Sequence, residues 1–381
     1  MTSKERREAR YQRRVRNRRD RKRERSRLYD DFETVFSYDH LYEAYRKCRR
    51  GVAWKASVQR YITQAPLLVK RTYDRLYDGT FRSDGFCEFD LNERGKIRHI
   101  RSVTITERVV QRCLCDYALV PVLSKSLIYD NAASLKGKGY HFAIRRLCRS
   151  LRRHYRQYGT DGYILLFDFS KFFDSIPHDL CKKILRENFT DERITALTEH
   201  FIDMFGGEKG LGLGSQISQI FALAAANRLD HYIKEELGIR GYGRYMDDGY
   251  LIHPDKEYLK YCLEEIRNIC TELGLKLNEK KTQIVKIRHG FTWLKCQFHI
   301  TPSGRVIRKI SRESVARERR KLKNLRRLVE EGVLNRQDVY ASFQSWRAYA
   351  RHFDAYYTIQ NMTKLYYKLF CPGIWENGGM L

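Results

Sequence analysis

Apolar and polar positions along this chain fall into distinct periods, and each period predicts an element. Over 41–76, apolar and aromatic residues recur at helical spacing among many Tyr and Arg. Residues 86–101 alternate instead (CEFDLNERGKIRHIR), with turn residues at 92–95, and predict two strands joined by a tight turn. Helical spacing returns over 107–119, and Pro121 predicts its end. The run 163–167 (YILLF) is apolar without a break, which reads as a buried strand. It ends on Asp168, and Pro177 marks the first turn of a following helix. An Ala- and Leu-rich stretch, 216–237, predicts a helix. Strand-like arms at 242–245 and 249–253 flank Met246, Asp247 and Asp248, so the acids sit at the tip of a hairpin. An amphipathic helix over 256–273, short strands over 283–309 and helices over 311–370 complete the reading. In the last segment Val315, Leu322, Leu325 and Val329 make an apolar stripe amid Arg and Lys.

Composition adds a partner class. An apolar share of 42% suffices for a packed core and excludes wholesale disorder. Residues 1–28 are different: KERREARYQRRVRNRRDRKRERSR carries almost no aliphatic residue and cannot bury a face. It reads either as a solvated tail or as an arm that folds on a polyanion, the way arginine-rich arms grip RNA. The formal net charge of +28 disfavours self-association and neutral small substrates, because like charges repel. A phosphate backbone brings the opposite charge at every nucleotide, although a membrane surface or an acidic protein would also answer it. No apolar run approaches the roughly 20 residues that span a bilayer, and no apolar core of a signal peptide stands near the start, so a cytoplasmic location is expected. Of ten cysteines only Cys113 and Cys115 are closely spaced, without a second pair at zinc spacing. Reduced, buried thiols are expected.

Three acids carry the candidate chemistry: Asp168 at the end of the buried strand, and Asp247 with Asp248 on the hairpin. Adjacent carboxylates repel, and a strand edge desolvates them, so packing alone gives no reason for the set. An Asp-Asp pair in a loop is commonly just a solvated turn; here Tyr245, Met246, Tyr250 and Leu251 argue for a hairpin held in apolar surroundings. Two Mg²⁺ ions about 3.5–4 Å apart would remove the repulsion and need such a cluster. Magnesium takes a few carboxylates plus substrate phosphates, so three acids are enough.

Tyr245-Met246-Asp247-Asp248 resembles the YxDD box of reverse transcriptases, in its YMDD form. Upstream, FDFSKFFDSIPH resembles the family's first palm motif, whose leading acid (here Asp168) binds both metals while the next residue (here Phe169) offers its backbone carbonyl. GLGLGSQISQ stands where the family has its nucleotide- and template-facing loop. GKIRHIRSVTITERVVQRCL resembles the fingers motif that contacts the incoming triphosphate, and ASLKGKG the segment after it. GLKLNEKKTQIV and FTWLKCQF resemble the later palm motifs, the second being the primer grip. The motifs follow one another in family order across 40–310.

The resemblance implies an α+β right-hand polymerase. A basic arm over 1–28 precedes fingers over 29–160, and a palm over 161–310 has an antiparallel sheet backed by helices. A helical thumb and tail occupy 311–381. It implies RNA-directed DNA synthesis with two Mg²⁺ ions (Mn²⁺ as substitute), with dNTPs, a structured template RNA and an RNA/DNA hybrid as partners, and no membrane. Phe173, five residues after Asp168, occupies the position of the aromatic gate that clashes with a 2′-hydroxyl. Lys96 and Arg98 are the candidates for triphosphate contacts, against a plainer reading as generic basic strand positions. Arg317, Arg320, Lys323 and Arg327 are the candidates for contacts along the hybrid.

One departure narrows the group. Many reverse transcriptases start the middle motif with Gln-Gly and end it with Ser-Pro; this chain has Leu213-Gly214 and Ser218-Gln219. Leu213 cannot hydrogen-bond near the nascent pair as Gln would, and Gln219 restores a backbone donor that Pro lacks. This form resembles the enzymes of diversity-generating retroelements, which copy a template RNA with errors at adenines and leave room for a small basic accessory protein. Two other readings stand beside it: a defence-associated reverse transcriptase using a non-coding RNA or untemplated synthesis, and an RNA-binding scaffold that kept the fold without catalysis.

Overall fold

The structure, a computed structural model, describes residues 27–371 other than 94, together with positions 6, 9, 12, 13 and 24. The arm expected over 1–28 therefore lies largely outside the described residues, as does the Lys96 side chain.

The alternating and apolar runs form three antiparallel sheets among the described residues. Cys87–Glu93 (β1) and Lys96–Ser102 (β2) make a hairpin. Tyr163–Asp168 (β3), Gly241–Tyr245 (β4), Asp248–His253 (β5) and Gln283–Lys286 (β6) form a central sheet in the order β4-β5-β3-β6. Phe291–Trp293 (β7), Cys296–Ile300 (β8) and Val306–Ile310 (β9) form the third.

The central sheet is covered on both faces, which is why YILLF is continuously apolar. Side chains on a strand alternate between faces. Leu165 and Phe167 enter one core with Leu251 and the helices Ile105–Leu114 (α1) and Gln216–Ala225 (α3). Ile164 and Leu166 enter a second core with Tyr250, Ile252, helix Tyr140–Tyr158 (α2) and the third sheet. Lys256–Glu272 (α4) packs against β3 and β5. The C-terminal helices Arg312–Glu330 (α5), Arg336–Ala350 (α6) and Tyr356–Phe370 (α7) extend the second core through Leu322, Phe343, Trp346 and Met362. Ser311 and Asn335 cap α5 and α6 with their side-chain oxygens.

Two helix boundaries differ from expectation. The helix expected to stop at Pro121 continues to Leu123. A π-helical stretch, Cys115–Leu119, precedes the proline and places it in the first turn of a renewed helix, where a missing N–H is tolerated. The helix expected over 216–237 breaks at Ala226 (φ −91°, ψ 5°) and resumes as Asn227–His231. The ten cysteines are free thiols, and seven of them are buried. Among the described residues no helix is long and apolar enough to cross a membrane.

Candidate active site

The alternation that sends Ile164 and Leu166 into the second core also aims Asp168 out of its end. Asp168 pairs directly across from Asp248 in the β3–β5 register. Asp247 sits in the two-residue turn between β4 and β5, beside Met246, whose φ of 55° is in the left-handed region. That conformation is unfavourable for a non-glycine residue and persists only where its surroundings hold it. Ligand atoms of Asp168, Asp247 and Asp248 lie within 4.8 Å of one another. Gly249 follows because nothing larger fits: a Cβ there would stand 2.2 Å from the Phe167 ring.

The turn is held from behind by charge. Arg244 is 0% exposed, and its Nε and Nη2 donate to the two carboxylate oxygens of Asp230 at 2.8 and 2.7 Å. Its Nη1 donates to the Met246 carbonyl at 2.7 Å, and Tyr242 donates to Asp230 Oδ1 at 2.5 Å. A buried guanidinium thus ties the strained turn to a buried carboxylate, with four hydrogen bonds fixing the geometry.

Electrostatics make the acid cluster a poor place for bare charge. Burial, followed by the neighbouring Asp247 and Asp168, pushes the Asp248 carboxyl up to about 7. Burial and Asp168 also raise Asp247, with Lys281 and Arg98 opposing. The Lys281 ammonium lies 2.6 Å from Asp168 Oδ2, and Asn278 donates its backbone N–H to the Asp168 carbonyl at 2.7 Å. Hard oxygen donors, crowded and short of positive charge, suit Mg²⁺ or Mn²⁺.

The other expected residues gather on two sides. Phe169 is buried, stacks on Phe172 at 4.7 Å, and keeps its backbone at the site by donating to the Asp247 carbonyl at 3.2 Å. Phe173 is half-buried, and its carbonyl accepts from Leu211 N at 2.8 Å. Leu213 accepts from Arg101 N at 3.3 Å, so the 210–215 loop is stitched between the Asp168 segment and β2. Arg98 lies on the same face of β2 as Ile100, which approaches Gly214, and its charge reaches Asp247. Gln219 is exposed over a recess shared with Arg108, Arg112 and Gly214.

On the other side, a cleft of about 1060 Å³ runs from Asp168 and Asp248 past the Trp293-Leu294-Lys295 turn to α5. Arg317 and Lys321 line it; Arg320, Lys323 and Arg327 do not appear on its walls, because helical spacing turns them to the solvent flank. Arg327 there pairs with Glu331 at 2.5 Å. Sequence reasoning missed Lys281, Lys321 and the Arg244–Asp230 pair. For Lys281 the signal is long-range: Gln283 pairs with Leu166, and continuing that register sets Lys281 opposite Asp168.

Residues 90–298 match the family reverse transcriptase (RNA-dependent DNA polymerase). Protein YkfC of Escherichia coli (strain K12) is 25% identical over 259 residues, covering 57% of this chain; the chain spans 65% of YkfC, just under two thirds. Among solved structures, apo telomerase from Candida tropicalis, truncated from its C-terminal domain, overlays with a TM-score of 0.44 at 15% identity. The overlay covers 59% of this chain and 55% of that one.

Proposed function

This chain belongs to the reverse transcriptase (RNA-dependent DNA polymerase) family and has its right-hand polymerase fold, and from that premise we propose that it copies an RNA template into DNA at Asp168, Asp247 and Asp248. The observation that carries this reading is the convergence of the three carboxylates at the mouth of the cleft leading to α5. Residues 29–160 act as fingers, 161–310 as palm and 311–381 as thumb and tail.

Asp168, Asp247 and Asp248, with the Phe169 carbonyl, would hold the cations. Mg²⁺ bound there would lower the pKa of the primer 3′-hydroxyl and neutralise the triphosphate and departing pyrophosphate. The chain's own groups position the reactants. Arg98, whose charge already reaches Asp247, meets the triphosphate, with Lys96 assisting from two residues earlier in β2. The Phe173 ring excludes a 2′-hydroxyl, and Leu213 and Gly214 lie on the loop that Leu211 ties to the Phe173 carbonyl. The Trp293-Leu294-Lys295 turn, with Leu294 and Lys295 at φ 47° and 62°, holds the primer backbone across from Arg317 and Lys321.

Within the family we place the chain nearest the diversity-generating retroelement enzymes, on Leu213-Gly214 and Ser218-Gln219. An aliphatic Leu213 gives up a hydrogen bond near the nascent pair, and looser geometric control there would lower fidelity. One experiment tests both levels. A DNA primer on an RNA template of defined sequence, given Mg²⁺ and dNTPs, is expected to yield product complementary to that template. The Asp247→Ala/Asp248→Ala protein is expected to yield none. Product made equally by that variant, or independent of the template, would overturn templated copying. Errors no more frequent at template adenines than elsewhere would overturn the finer placement alone.

A further inference from the structure

A second groove, of about 880 Å³, lies on the far side of α5 from the catalytic cleft. Helical spacing separates the two surfaces: α5 turns Ser314, Arg317 and Lys321 toward Asp168, and Arg312, Ala316 and Arg319 toward the groove. Its opposite walls come from β8 and β9 and from the connection between α6 and α7. The volume falls within the roughly 300–1,000 Å³ of small-ligand pockets. This groove, however, is open and its rim is cationic.

Three features of the groove answer one chemistry. Arg305, Lys309, Arg312 and Arg319 are all exposed around it. Among the described residues lining it the only carboxylate is Asp354, and that one is engaged: Arg305 Nη2 reaches it at 3.0 Å, and the Arg308 backbone N–H donates to it at 2.9 Å. The balance of charge therefore remains positive. Next, α7 begins in the groove wall at Tyr356 with neither a side-chain cap nor an acid in its first turn, unlike α5 and α6. The first turn, Tyr356 to Thr358, lines the same groove as the cations, and uncapped backbone N–H groups there add to an environment that favours an anion. Finally, Tyr356 and Tyr357 are 67% and 78% exposed at the groove, above an apolar floor that includes Ile310, Phe353 and Ala355. Exposed rings beside fixed cations are what an unpaired strand uses, bases on the rings and phosphates on the cations; a duplex keeps its base faces stacked and has no use for the tyrosines.

We propose that this groove is a second nucleic-acid site, which holds an unpaired stretch of the RNA outside the catalytic cleft. The choice of RNA over DNA rests on the proposed activity; the groove itself does not. Binding there must therefore survive loss of the catalytic acids, and this keeps the two readings separable.

The test uses the full chain carrying Asp247→Ala/Asp248→Ala and a short single-stranded RNA bearing thiouridine. Irradiation is expected to crosslink the RNA within 353–358. Tyr356→Ala/Tyr357→Ala, at exposed positions that do not hold the fold, is expected to remove that crosslink and weaken binding about tenfold. Arg312→Gln/Arg319→Gln is expected to lower the slope of log K against log salt by about 1.4, the share of two single-strand phosphate contacts. No crosslink in 353–358, or a salt slope unchanged in the arginine variant, would overturn the site. Competition by an RNA duplex as strong as by the single strand would overturn the unpaired occupant. Stronger competition by single-stranded DNA of the same sequence would overturn RNA as that occupant.

Discussion

Asp248→Asn is expected to make the metal-free protein more stable at about pH 8 while sharply slowing nucleotide addition. The stability half follows from sign. The folded state holds the Asp248 proton up to about 7, against an ordinary value of 3.8. The folded form therefore binds the proton more tightly than the unfolded chain does. Stability from the neutral carboxyl is full below 3.8 and is lost as pH rises toward 7; above that, the charged carboxylate opposes folding. Asparagine keeps the shape and removes the charge, for an expected gain of about 1–3 kcal/mol in denaturant unfolding at pH above about 7. The gain should shrink as the pH is lowered toward the ordinary carboxylate range. The catalytic half follows from the same crowding: one carboxylate fewer leaves cations and triphosphate poorly matched, and extension should fall on the order of 10²–10³-fold. A variant that is less stable at every pH, or that extends at the wild-type rate, would contradict the account of why these acids are adjacent.

Arg244 is the second position where a large effect is expected, and here stability and activity separate. Arg244→Gln alone leaves Asp230 buried and unpaired, which costs about 3–5 kcal/mol. Pairing it with Asp230→Asn removes the uncompensated charge while Asn can still accept from Tyr242, so much of that loss should return. Activity should not return with it. A single Gln cannot reach both residue 230 and the Met246 carbonyl, as Arg244 does through three nitrogens. With Met246 released from φ 55°, the Asp247 backbone is free to drift from Asp168. The double variant is expected to fold near normally and to extend at least about tenfold more slowly, in kcat more than in KM for dNTP. Wild-type kcat in a well-folded double variant would show that the pair serves only packing.

The sequence exposed local features far better than long-range ones. YILLF read as a buried strand because its apolar run is short and unbroken, and Asp168 at its end was conspicuous as a charge with no structural reason. The YMDD hairpin was equally legible, since its arms and tip are neighbours along the chain. Lys281 was not, because its relation to Asp168 exists only through the pairing of β6 with β3. Arg244 carried no local signal either; its burial depends on Asp230 arriving from the helix Asn227–His231. In α5 the basic character was visible but its direction was not. The packing of Leu322 and Leu325 fixes the helix rotation, and only then do Arg317 and Lys321 face one groove, and Arg312 and Arg319 another. The Pro121 stop failed for a related reason: a π-turn, which no apolar period announces, shifted the register ahead of it.

In the proposed reaction Asp168 and the hairpin acids hold the cations that drive RNA-directed DNA synthesis. Its most direct test is the single-turnover rate of adding the next complementary dNTP to a DNA primer on an RNA template, measured across a Mg²⁺ titration for wild type and Asp168→Asn. Comparable folding of the two is checked by circular dichroism. The wild-type rate is expected to rise and saturate with Mg²⁺, and the variant to be slower by on the order of 10³-fold at every concentration. A variant that adds the nucleotide at the wild-type rate, with the same Mg²⁺ dependence, would contradict this role for the acids.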